Sequence, residues 1–358
     1  MRPLLSIDDL SVSFARPNRN ISAVRQVSLA VTARECVGIV GESGSGKTQV
    51  FMAAMGLLAA NAKADGSVRF ESEEILRATP KELNRIRGSK LTMVFQDPMT
   101  SLTPHLKIGT QLAEVLVYHT GTSWSEARIA ARRMLERVRV PEAQRRLNQY
   151  PHELSGGLRQ RVMIGMSLMC EPMLVIADEP TTALDVTVQA QIIGLLRAMR
   201  EETDMALVLI SHDLAVVAGL ADRILVMYAG RIVESAAAAE LLRHARHPYT
   251  AELLKCVPSL SGPILERLPT LSGQPPRPGE SLAGCAFAPS CPRAAERCRV
   301  ERPLLEVAEA ARDAGDPRDA GDPRDAGDPR DAGDPRDAGD PRDAGDTRRV
   351  ACHFPLPP

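Results

Sequence analysis

The stretch Gly41-Glu42-Ser43-Gly44-Ser45-Gly46-Lys47-Thr48 constrains this chain more than any other. It fits G-x-x-x-x-G-K-[ST], with an apolar run, Val37 to Val40, before it and a helix-length segment, Gln49 to Leu58, after it. That is where a strand-to-helix loop belongs. Glycines let successive backbone N–H groups converge on phosphate oxygens, and the helix that follows adds its positive end. Lys47 is expected to reach the β- and γ-phosphates of a nucleotide, and Thr48 to set its hydroxyl on Mg²⁺. The pattern can arise by chance, so the test is whether the other parts of a nucleotide hydrolase follow.

The opening, Leu4 to Phe14 and Ala23 to Val31, alternates apolar and polar residues around Arg16-Pro17-Asn18-Arg19-Asn20, which predicts an antiparallel hairpin. Asp65-Gly66-Ser67 marks another turn before a strand. Leu91 to Phe95 reads as a buried strand ending at Gln96-Asp97-Pro98, where Pro98 stops the ladder. Ser123-x-x-Glu126 is a capping-box pattern for a helix to about Val138, inside a mostly helical insert that spans 99–150. Leu154-Ser155-Gly156-Gly157 occupies a helix start, for which a simple N-cap is one reading.

Met173 to Ala177 is a continuous apolar run ending in Asp178-Glu179-Pro180, and Ala206 to Ile210 is another, ending in Ser211-His212-Asp213. Runs of this kind are strands buried on both faces, and a helix-length segment between them implies parallel strands with a right-handed crossover. The acid pair could be a solvated turn, but open parallel sheets bind ligands beyond the carboxyl ends of their strands. Arg223 to Tyr228 and Arg231 to Glu234, joined at Ala229-Gly230, read as a closing hairpin.

The same parts in the same order resemble, over residues 4–250, the ATP-binding subunit of ABC transporters, of which Leu154-Ser-Gly-Gly is the most specific mark. The resemblance implies an α/β fold: a P-loop NTPase of ABC type, with a mainly parallel sheet core, an antiparallel β subdomain, a helical subdomain of about 97–165, and a small irregular cysteine-bearing C-terminal extension. It implies Asp178 as the acid acting on Mg²⁺, with Thr48 and Gln96 beside it, and Glu179 as general base. His212 would contact the γ-phosphate, Asp185 would stand at a subunit interface, and Phe14 would stack on adenine. Gly41 to Thr48 would hold ATP, while Ser155, Gly156 and Gly157 would cap the γ-phosphate held by a second subunit.

A narrower likeness, to the oligopeptide/dipeptide/nickel importer branch, rests on Phe95 to Pro104, Thr181 to Gln191, His247-Pro-Tyr-Thr250 and the segment Gly284 to Pro292. It implies a peripheral ATPase on the cytoplasmic face of the membrane, coupled to peptide import. Its partners would be a second ATPase subunit, in a heterodimer, two membrane-spanning permeases and an extracytoplasmic binding protein that chooses the cargo. Nickel or another small solute is the alternative cargo. The branch can also hold a 4Fe–4S cluster on four cysteines, here Cys285, Cys291, Cys298 and Cys352. Zinc would accept four thiolates too, and plain thiols are a third reading. The gap of 53 residues between Cys298 and Cys352 departs from the family.

Composition excludes several classes. No apolar run reaches the roughly 18 residues that span a bilayer. The net charge of −1 hides an Arg-Asp-Ala-Gly-Asp-Pro repeat over 312–347, with 6 Arg against 12 Asp, so the remainder carries only about +5. With 3% aromatic residues, this gives no case for nucleic acid. The repeat has no large apolar side chain to bury and is expected to be disordered. The expected division is 1–256 for the ATP-binding domain, 257–311 for a Pro-rich linker and cysteine segment, 312–347 for the repeat and 348–358 for a returning C-terminal piece. An ABC protein of DNA repair would need a long insertion where only about 105 residues separate Thr48 from Leu154, and a translation factor would need two cassettes. An iron–sulfur sensor is a further alternative.

Overall fold

The computed structural model describes residues 2–17, 19–97, 101–182, 184–256, 276, 280, 282–307 and 348–357. The alternating opening forms the expected hairpin: β1 (Leu5–Arg16) and β2 (Arg19–Val31) are antiparallel, with Arg16 opposite Arg19. Leu5, Ile7, Leu10 and Val12 are buried. The spacing from Ile7 to Leu10 is not a multiple of two, and the ladder accommodates it by a register shift between those residues. With β4 (Ala62–Phe70) and β5 (Glu73–Glu74) the pair makes a four-stranded sheet ordered β2-β1-β4-β5.

The apolar runs build the second sheet. In it β3 (Cys36–Val40), β6 (Leu91–Val94), β7 (Leu174–Asp178), β8 (Ala206–Ser211) and β9 (Arg223–Tyr228) run parallel in the order β9-β3-β8-β7-β6. Such strands lack alternation because both faces are covered. Val37 and Ile39 pack toward the antiparallel sheet, whereas Cys36 and Val40 belong to the core on the helical side. All five strands point the same way, so Gly41, Gln96, Glu179 and His212 leave the sheet at one edge.

Helix α1 (Lys47–Ala54) follows β3, and a single turn, α2 (Pro80–Leu83), precedes β6. The insert before β7 holds α3 (Ile108–Thr120), α4 (Trp124–Arg137), α5 (Ala143–Arg146) and α6 (Gly156–Ser167). The capping box is formed: Glu126 N–H donates to Ser123 Oγ at 3.4 Å, and the Ser123 N–H and hydroxyl donate to the Glu126 carboxylate at 3.3 and 2.6 Å. Caps of this kind contribute about 1 kcal/mol. After β7 come α7 (Val186–Glu202), then β8, α8 (Leu214–Ala218) and the β9–β10 hairpin, β10 being Arg231–Ala237. Short helices α9 (Ala238–Arg243) and α10 (Pro248–Lys255) follow, and α11 (Glu296–Val300) lies in the cysteine segment. Among the described residues no helix is long and apolar enough to cross a membrane. The expectations for Pro98, for most of the Pro-rich linker and for the hexapeptide repeat fall outside the described residues.

The C-terminus extends the core sheet. Strand β12 (Arg349–Val350) pairs antiparallel with β10, and β11 (Glu306–Val307) pairs with β12. Arg348 drives this return. Its guanidinium is buried against the fully buried Glu234 at 2.9 Å and also meets Glu240 at 2.7 Å and the His244 carbonyl. Glu234 additionally accepts the backbone N–H groups of Arg246 and His247 at 2.8 and 2.9 Å. Removing one partner of a buried pair strands the other charge, at a cost of about 3–5 kcal/mol. Arg348→Ala is therefore expected to lower the denaturant midpoint by that equivalent and to release β12 amides to rapid hydrogen exchange. Unchanged protection of Val350 would contradict this account of the seam.

Candidate functional site

The phosphate loop bends as its glycines require. Gly41 has φ 152°, and a Cβ there would stand 2.2 Å from the Met227 carbonyl oxygen; at Gly46, φ 98°, it would stand 2.4 Å from the Ala23 oxygen. Both positions exclude any other residue. Lys47, buried at the start of α1, donates from Nζ to the carbonyls of Gly41 at 2.7 Å and Glu42 at 2.9 Å, so the ammonium bridges the mouth of its own loop. Burial pulls its pKa below the usual lysine range, against the opposing pull of Glu179, Asp178 and Glu42. The Ser45 hydroxyl is buried and has no hydrogen-bond partner among the described residues. An orphaned donor in a cradle of backbone N–H groups fits a phosphate.

The two acids separate in environment. Asp178, the last residue of β7, is buried and accepts the Thr48 hydroxyl at 3.0 Å. Burial raises its carboxyl to about 6, with Glu179 adding to the rise while Thr48 and Lys47 oppose it. A hydroxyl and a carboxylate side by side are hard oxygen donors of the kind Mg²⁺ takes. Glu179 turns away, at φ 44°, a conformation rare for a residue with a Cβ. Its Oε2 accepts from Gln96 Nε2 at 2.9 Å and Thr182 Oγ1 at 2.8 Å, and His212 Nδ1 lies 3.3 Å away. One oxygen thus gathers groups from the ends of β6, β7 and β8. Thr182 is the member sequence reasoning missed; its place three residues after Glu179 was the available signal.

The other expected residues lie elsewhere. Ser155 takes the N-cap position of α6 but makes no side-chain cap bond, so its hydroxyl is not used as a simple cap would use it. Ser155, Gly156 and Gly157 line an open hollow with Arg161, Asp185 and Gln191, separate from the phosphate loop. Gly157 approaches α7 so closely that a Cβ would meet Val188 at 2.9 Å, and Asp185 caps α7 by accepting the Val188 N–H at 2.9 Å. Phe14 is half-buried on β1, opposite Ile21 and Ala62.

A further contact reaches the loop from the C-terminal region. The Glu42 N–H donates to Tyr249 Oη at 3.0 Å, and the fully buried Tyr249 ring packs on Tyr228 at 4.5 Å and Phe287 at 5.5 Å between centroids. Phe287 belongs to the cysteine segment. There Cys285, Cys291, Cys298 and Cys352 line one cavity of about 10 Å³, the lower limit of what a water molecule needs. Burial raises the thiols of Cys285, Cys291 and Cys352, the last to about 11, which keeps them protonated at neutral pH. Among the described residues no group of three or more His, Cys, Asp or Glu could hold a metal ion. The four thiols share a cavity, and the 4Fe–4S expectation finds no formed donor group among the described residues. Nearby, His353 Nε2 is engaged with the Glu301 carbonyl at 2.9 Å.

Known proteins are similar to this chain. The ABC transporter family matches residues 24–182, and the oligopeptide/dipeptide transporter C-terminal region matches residues 233–298. The oligopeptide transport ATP-binding protein OppD of Salmonella typhimurium is 50% identical over 301 residues, covering 84% of this chain and 90% of that protein. AppD of Bacillus subtilis, also an oligopeptide transport ATP-binding protein, is 42% identical over 87% of this chain and 95% of its own length. Among solved structures, the ATP-binding cassette MJ0796, a dimer in a post-hydrolysis state bound to ADP and Pi, superposes with a TM-score of 0.60 at 28% identity, over 65% of this chain and 98% of its own. Fold and site together define an ATPase of the ATP-binding-cassette class. Within that class, the chain belongs to the family of oligopeptide transport ATP-binding proteins.

Proposed function

We propose that this chain is the ATP-hydrolysing subunit of a membrane importer of peptides, acting peripherally beneath two permeases with a second ATPase subunit and an external binding protein. The observation that carries the reading is the Glu179 carboxylate, tied at one oxygen to Gln96, Thr182 and His212 within a chain that is half identical to OppD. Gly41 to Thr48 hold the triphosphate, Lys47 balances its β- and γ-charges, and Phe14 stacks on adenine. Thr48, Asp178 and Gln96 hold Mg²⁺, which supplies charge neutralisation on the transferring phosphoryl group. Glu179 takes a proton from the attacking water as its oxygen bonds to the γ-phosphorus and the bond to ADP breaks. His212 donates toward the γ-phosphate. Ser155, Gly156 and Gly157 of one chain close over the nucleotide of the other, with Asp185 beside them.

Tyr118, Trp124 and Ile129 on α3 and α4 are exposed, which leaves large apolar side chains of the helical insert available to a permease. Uptake tests the cargo: proteoliposomes holding the complete transporter are expected to accumulate a labelled peptide with ATP. Accumulation of nickel and not peptide would select the other cargo. A 4Fe–4S cluster at Cys285, Cys291, Cys298 and Cys352 is part of the proposal; the convergence of four thiols from two chain segments supports it, and the lack of a formed donor group counts against it. Four iron and four acid-labile sulfide per anaerobically purified chain would support the cluster. Iron-free protein would leave these residues as a thiol core.

A further inference from the structure

Behind the phosphate loop lies a cavity of about 610 Å³, within the size range of small-molecule sites. It is bounded by the antiparallel sheet, the β9–β10 hairpin and the segment that leads to β11. Arg25, Arg231, Arg302 and Arg349 line it, against a single lining carboxylate, Asp9. None of the four arginines forms an ion pair with a carboxylate among the described residues. Instead, two guanidiniums share one neutral oxygen: Gln26 Oε1 accepts from Arg231 Nη1 at 3.3 Å and from Arg302 Nη2 at 3.4 Å. Arg231 also donates to the Arg25 carbonyl at 3.2 Å, and Arg25 Nη2 to the Glu280 carbonyl at 3.0 Å. The Arg25 Nε is buried and has no partner among the described residues.

Arg25 and Arg231 are half-buried while Arg302, Arg349 and Gln26 are exposed, so the cations gather around a neutral amide at a solvent-open face that an anion can enter. Arg231 has its pKa lowered to about 10 by burial and then by repulsion from Arg302 and Arg25, with the Asp9 carboxylate opposing. Backbone strain gathers at the same place. Asp9 and Gln26, both at φ 52°, and Ala229, at φ 47°, line the cavity in the left-handed region although none is glycine. Asp9 and Gln26 sit at the register shifts of the β1–β2 ladder and Ala229 at the β9–β10 turn, which account for these conformations. The cavity wall also reaches the nucleotide loop through one residue: Gly230 donates its N–H to the Ser45 carbonyl at 3.0 Å and accepts the Arg25 N–H at 2.8 Å.

We propose that this cavity binds a small polyanion, a solute bearing two or more oxyanion groups, held by the guanidinium forks of Arg231, Arg302 and Arg25. Planar forks suit phosphate or carboxylate in two-point contacts. The site is distinct from the ATP cradle, since its lining includes none of residues 41–48.

Calorimetric titration of the full-length protein, free of nucleotide and magnesium, with pyrophosphate and separately with citrate tests the proposal. Binding is expected to weaken with added salt, and by about tenfold in each of Arg231→Ala and Arg302→Ala, because each guanidinium supplies charge-assisted hydrogen bonds to the anion. Pyrophosphate heat that survives at the phosphate loop is expected to be insensitive to both variants. Citrate binding as tight as pyrophosphate would mark a carboxylate ligand, and pyrophosphate alone a phosphate ligand. Gln26→Glu provides an independent arm. It places a carboxylate between Arg231 and Arg302, so it is expected to raise the thermal midpoint by a few degrees and to abolish polyanion binding. Affinity for both ligands unchanged in Arg231→Ala, Arg302→Ala and Gln26→Glu, or no binding of either ligand to the parent chain, would overturn the proposal.

Discussion

Glu179→Gln is expected to keep ATP bound while hydrolysis falls by at least about a hundredfold, the low end of what a positioned general base contributes. The substitution keeps the shape of the side chain and of the φ 44° turn that aims it. What it removes is the carboxylate oxygen that now takes the Gln96 amide, the Thr182 hydroxyl and the His212 ring. An amide cannot accept a proton from water, and its NH₂ face cannot accept from these donors. With hydrolysis halted, ATP is expected to hold two subunits together, visible as a slower-dissociating dimer in size-exclusion chromatography with ATP. Single-turnover hydrolysis at the parent rate in Glu179→Gln would remove Glu179 from the mechanism.

Lys47→Ala is expected to act one step earlier, on binding. The ammonium is held over the loop by the Gly41 and Glu42 carbonyls and faces both acids, so it is the cation that lets a triphosphate approach Asp178 and Glu179. Loss of a charged hydrogen bond costs about 3 kcal/mol, which raises the Kd for ATP by roughly a hundredfold. Isothermal titration reads this directly, and a thermal melt checks that the variant is folded. Unaltered affinity would show that the cradle holds phosphate through its backbone alone.

Much of the site was legible in the sequence because buried parallel strands leave continuous apolar runs, and the residues that end those runs form the sheet's working edge. Gln96, Asp178, Glu179 and His212 were each found as the polar residue closing such a run. Ser155 was ambiguous, since a cap and a ligand-facing hydroxyl look alike in sequence; its missing cap bond favours the second reading. What could not be read rests on contacts between distant segments. Strands β11 and β12 are two residues each, too short for any periodicity, and Arg348 is one of many arginines until Glu234 is seen buried against it. The Tyr249 bond to the Glu42 N–H spans 207 positions. The spacing of Cys285, Cys291, Cys298 and Cys352 is visible, but spacing reveals ligand number and not geometry; the four line one cavity, with no formed donor group among the described residues.

The phosphate loop is proposed as half of an active site: Lys47, Thr48, Asp178 and Glu179 stand together, while Ser155 to Gly157 line a separate hollow of the same chain. The rate of ATP hydrolysis per chain, compared between the isolated chain held monomeric, as judged by light scattering, and the chain assembled in its transporter, tests this most directly. The monomer is expected to bind ATP and turn it over at least about tenfold more slowly than the assembled subunit, because interactions with the transition state are then missing. Hydrolysis by the monomer at the assembled rate would contradict the account.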